Sequence, residues 1–72
     1  MSILTSRAAR RENRARFWDS ISRNSAQLVG VYSFLIARGG YPEGVLEQRR
    51  EECIRSGRNA MIRAERIRSG LE

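Results

Sequence analysis

The chain contains no histidine, no lysine, and only one cysteine and one proline. Without histidine the usual imidazole base is missing and a zinc site loses its commonest ligand. A single cysteine, Cys53, excludes an intrachain disulfide, so no covalent or metal staple is expected. Long hydrophobic runs are missing too. The longest mostly apolar stretch, Ala26 to Ala37, is interrupted by Gln27 and Ser33, and falls short of the roughly 20 residues that span a bilayer. The segment MSILTSRAARR has no apolar core of signal-peptide length ahead of its charges. The expected location is the cytoplasm, or an assembly built there. No cofactor is expected.

What is present is arginine. All fourteen basic residues are arginine, against eight acidic ones, for a formal charge of +6. Arginine forks onto phosphate and stacks on bases better than lysine does. GC-rich coding produces the same bias, so composition alone leaves both origins open. An excess of positive charge favours an anionic partner, and it also aids solubility. At 72 residues the chain is one domain. A core of this size supplies only about 3 to 5 kcal/mol, so self-association or docking on a larger partner is the remaining route to stability.

Periodicity predicts an all-α fold, a two-helix antiparallel hairpin: a helix over about 4–37, a turn at 38–42 and a helix over about 43–69. Alanine and arginine favour helix in the first segment, with Ser2 or Thr5 as candidate caps and a weak point between Asn24 and Gly30. Gly39, Gly40 and Pro42 mark a helix end, a tight connection and a new start. Glu43 is expected in the first turn of the second helix, where its charge suits the helix dipole. In that helix Leu46, Arg50, Cys53, Gly57, Ala60, Ala64, Ile67 and Leu71 alternate at spacings of four and three, a heptad seam with small residues in its middle.

The first helix carries larger side chains at Trp18, Ile21, Leu28, Val29, Tyr32, Leu35 and Ile36. Folding back pairs residues whose numbers sum to about 82. Trp18 then meets Ala64, Ile21 meets Ala60 or Met61, Ser25 meets Gly57, Leu28 meets Cys53 or Ile54, Arg14 faces Ile67 and Arg11 faces Leu71. Large is expected to face small throughout. A single packing face leaves apolar residues unused, so Phe17, Val31, Tyr32, Phe34 and Leu35 are candidate partner-interface residues. Ile62 is also off the seam.

No catalytic set can be assembled, and an enzyme is not expected. Cys53 lies on the small-residue seam, where it reads as a small hydrophobe. Glu43, Glu47, Glu51, Glu52 and Glu65 have the spacing of a solvated helix face. Gly39 and Gly40 lack the preceding strand and following Lys of a phosphate loop. Arg7, Arg10, Arg11 and Arg14 instead recur on successive helical turns and can follow a phosphate backbone, with Trp18 ending the row as a flat ring on which a base could stack. The alternative role for Trp18 is core. Arg16 and Arg23 widen the basic surface.

Thr5, Arg7, Arg10, Arg11, Arg14 and Trp18, within residues 3–20, together resemble the arginine-rich motif of the N antitermination proteins of lambdoid phages. The resemblance implies a helix that binds hairpin RNA, with arginines on phosphates, an aromatic on the loop, and the rest of the chain contacting the transcription machinery. Three readings follow. The first is a small, phage-type, non-enzymatic protein binding RNA or DNA through its arginine stripe. The second is a helical-hairpin structural or adaptor component of a larger protein complex, such as a virion, or of a homo-oligomer. The third is a peripheral membrane protein whose Leu28 to Ile36 segment lies in a membrane surface between Arg23 and Arg38.

Overall fold

The computed structural model describes residues 6–72. Two helices, α1 (Arg7–Arg38) and α2 (Val45–Arg68), account for the regular structure of these residues and lie antiparallel against each other. The expected hairpin is therefore present. Ser2 and Thr5 lie outside the described residues, and the cap is neither: Ser6 adopts an extended conformation and its hydroxyl accepts a 3.1 Å bond from the Ala9 N–H. That bond satisfies one of the donors a helix start leaves open. The helix then runs unbroken through Asn24 to Gly30.

The connection is longer than 38–42 and covers residues 39–44. Gly39 leaves α1 with φ 81° while its N–H still bonds Leu35 C=O at 3.1 Å. Gly44 has φ 86° and stands at the N-cap of α2, so Glu43 falls in the turn ahead of the helix and not in its first turn. Glu47 fills that role: its carboxylate accepts from the Gly44 N–H at 3.1 Å, the half of a capping box that glycine permits. Tyr41 and Pro42 line a small cleft with Leu35, Ile36 and Leu46 at this end.

The far end of α2 is closed by a Schellman motif. Gly70 takes φ 78°, its N–H bonds Ile67 C=O at 3.1 Å, and the Leu71 N–H bonds Arg66 C=O at 2.9 Å. Leu71 is thereby turned out of the seam and left 68% exposed, contrary to its expected place opposite Arg11. The rest of the seam holds, with Leu46, Gly57, Ala60, Ala64 and Ile67 buried and Arg50 and Cys53 half-buried. Arg50 donates to Ser33 Oγ at 3.4 Å.

The register is as expected, but α1 is rotated. At Gly57 a Cβ would meet Ser25 Cβ at 3.0 Å, and Trp18 packs against Ala15, Ala64 and Ile67. Ala15, not Arg14, faces Ile67, and Leu28 is 46% exposed while Val29 lines a groove with Cys53 and Ile54. The cause is the small middle of α2. Gly57, Ala60 and Ala64 let the backbones approach so closely that only small α1 residues, Ala15 and Ser25, fit between them. Small faces small at Ser25 and Gly57, Ala15 is covered by Ala64 and Ile67, and Trp18, Ile21 and Val29 straddle the axis half-buried.

The product is a rod of 57 × 21 × 11 Å with a radius of gyration of 16.6 Å, against about 11 Å for a compact chain of this length. Ile67 is the only large side chain fully buried among the described residues. No helix among them is long and apolar enough to cross a membrane.

Candidate nucleic-acid interface

The open end of the hairpin, away from the 39–44 connection, holds most of the net charge. Residues 6–23 and 59–72 contain nine arginines and four carboxylate side chains, a surplus of five, and the remaining described residues carry a surplus of one. The N-terminus of α1 points the same way. Its positive dipole end has no acidic residue in the first turn to offset it.

Three of the four carboxylates there are committed to α2. Arg68 reaches across to α1 and binds two of them at once. Its Nε and Nη2 donate to Glu12 at 3.1 and 3.0 Å, and its Nη1 and Nη2 donate to Asp19 at 3.3 and 2.6 Å. The Glu12 and Asp19 carboxyls are held below the usual carboxylate range, chiefly by these hydrogen bonds, and the same bonds raise Arg68. Glu12 also lies 3.6 Å from Arg16. Glu72 is bound by Arg63 Nε at 3.0 Å and Arg66 Nε at 3.4 Å.

Arg7, Arg10, Arg11 and Arg14 gather around one open basin, with Glu72 on its far side. All four are exposed, and Arg11 and Glu72 bring the end of α2 close: the Arg11 guanidinium carbon lies 4.0 Å from where a Gly70 Cβ would stand. Among the described residues Arg7, Arg11 and Arg14 form no ion pair. The row read from the sequence is thus gathered on one exposed surface. Thr5 lies outside the described residues.

Trp18 does not belong to that row. Its ring packs on Ala15, Ala64 and Ile67, the Arg63 guanidinium covers one face at 4.6 Å, and the Phe17 ring meets it edge-on at 5.3 Å. One face of the ring is thus covered by the protein's own cation, and Trp18 sits half-buried at the edge of the core. A groove lined by Trp18, Ile21, Ser56, Asn59 and Arg63 runs beside it. Of the expected interface residues, Phe17, Val31 and Phe34 are exposed, while Tyr32 and Leu35 are half-buried on the flank of the α1–α2 seam.

The Arg68 fork is absent from the sequence reading. Its signal is there: Glu12 and Asp19 are two turns apart on one face of α1, and a register sum near 82 puts Arg68 between them. No protein family, curated protein or solved structure matches this chain.

Proposed function

We propose that the protein binds the phosphate backbone of nucleic acid through Arg7, Arg10, Arg11 and Arg14 and performs no catalysis. One observation carries this reading: an exposed arginine basin in which Arg7, Arg11 and Arg14 lack carboxylate partners among the described residues, although carboxylates stand within one or two turns. Those carboxylates are bound to α2 arginines, so the protein spends its anions on holding the hairpin and leaves the basin cationic. Guanidinium groups on successive turns suit phosphates along a strand. The contacts carry no base readout, and Trp18 serves by anchoring α1 to α2 and not by stacking.

The test is fluorescence anisotropy with labelled duplex DNA and hairpin RNA over a range of salt. Affinity for the duplex falls with a log-log slope of about −0.9 per phosphate neutralised, and Arg7→Gln, Arg11→Gln and Arg14→Gln together reduce that slope by about three units. Affinity indifferent to salt, or a triple variant that binds as the parent does, overturns the proposal. RNA preferred over DNA would favour the antitermination-like role.

A second reading is favoured by a separate observation. Phe17, Leu28, Val31 and Phe34 are all exposed on α1, which suits a structural or adaptor component of a larger assembly. The two readings are compatible, because the arginine basin and these apolar residues occupy different lengths of the rod.

A further inference from the structure

The helix α1 carries two heptad lines. One runs through Ala15, Trp18, Ser22, Ser25, Val29 and Ile36, and it packs on α2. The other is Phe17, Ile21, Asn24, Leu28, Val31 and Leu35, with the same alternation of four and three. At 100° per residue it lies about 110° around the helix from the first. Four of its six members are exposed, with Phe17, Leu28 and Val31 at 60%, 46% and 52%, while Ile21 and Leu35 are half-buried on the flank of the α1–α2 seam.

The molecule also has surface to spare. Its accessible area is 5749 Å², whereas a compact protein of this mass exposes about 4,600 Å². The excess of about 1,100 Å² per chain exceeds the roughly 800 Å² that each partner contributes to a standard stable interface.

We infer that a second copy of the chain packs antiparallel on this second line of α1, giving a four-helix bundle with an arginine row at each end. Three features select a second copy and this orientation. A two-fold interface must complement itself, and the line does so when reversed about position 26. Phe17 then meets Leu35, Ile21 meets Val31, and Asn24 meets Leu28 of the other copy. Asn24, the one polar member, sits next to the two-fold, where a single seam amide sets register and copy number at some cost in stability. Charge decides the direction. A parallel pair would place two ends, each with a surplus of five positive charges, about 10 Å apart. The antiparallel pair separates the two rows by about 45 Å at 1.5 Å per residue. Phe34 and Ile62 stay outside the interface.

The pairing does not depend on nucleic-acid binding, so its test uses nucleic-acid-free protein. In sedimentation equilibrium the whole chain has twice its own mass. Leu28→Glu weakens the dimer on the order of 100-fold, and Phe34→Ser and Ile62→Glu leave it intact. Spin labels on Asn13→Cys, in a Cys53→Ser background, lie about 40 Å apart across an antiparallel pair and about 10 Å apart across a parallel one. This distance decides the matter even if Leu28→Glu loses helix. A monomeric parent chain, a dimer that resists Leu28→Glu, or the shorter distance overturns the inference.

Discussion

Two glycines inside helices show how differently one residue type can be used. Gly57 lies where α2 packs tightly on α1, and its missing Cβ leaves room for that approach: an added carbon would stand 3.0 Å from Ser25 Cβ and 3.7 Å from Ser22 C=O. Gly30 has nothing within 4 Å of that position. Gly57→Val is expected to lower stability by about 1–3 kcal/mol through overpacking. Gly30→Ala is expected to raise it by about 0.5–1 kcal/mol through reduced chain entropy. Urea titrations of the variants at one protein concentration check both. The close fit at Gly57 was legible in the sequence, since Ser25 and Gly57 pair in the simplest register. The placement of Trp18 was legible only as one of two options, because an aromatic at a seam position serves core and ligand equally well on paper.

At the scale of the helix pair, few apolar contacts hold α1 to α2, and the Arg68 fork ties the open end. Glu12 and Asp19 are held below the ordinary carboxylate range by their bonds to Arg68, so their contribution is complete above the unfolded values near pH 4 and is lost as pH falls through the lower folded values. The Trp18 emission, from the only tryptophan, is expected to report loosening of the open end below about pH 4. Arg68→Gln should flatten that acid dependence. All three side chains are partly exposed, so high salt weakens the fork as well. An acid response unchanged by Arg68→Gln would assign it to other carboxylates. The rotation of α1 belongs to this scale. Counting turns makes Leu28 and Val29 equal candidates for the seam, and only the closeness allowed by Gly57, Ala60 and Ala64 selects Val29 and leaves Leu28 outside.

The whole molecule is long, thin and underburied. Among the described residues Ala15, Leu46, Ala60, Ala64 and Ile67 form the buried apolar set, a small core for a hairpin of this length. Its thermal midpoint is therefore expected to depend on protein concentration, falling by about 4 °C for each tenfold dilution if folding and dimer formation are coupled. Circular dichroism over two decades of concentration measures this. A midpoint independent of concentration would mean that the single hairpin suffices. The charge distribution acts at the same scale, since a surplus confined to one end of a rod steers an anionic partner to that end.

Local chemistry along the chain was sufficient to determine two helices, the glycine-proline connection, the seam of α2, the register near 82 and the arginine row. Each rests on periodicity, conformational preference or charge, which act between residues near in the chain or repeated along it. Only the tertiary structure decided the rotation of α1, the seating of Trp18 against Ala64 with Arg63 over its ring, the outward turn of Leu71 at Gly70, and the capture of Glu12 and Asp19 by Arg68. Those outcomes depend on how closely two backbones can approach and on which of several reachable carboxylates a guanidinium meets. Both are properties of distances across the pair, which no single helix contains.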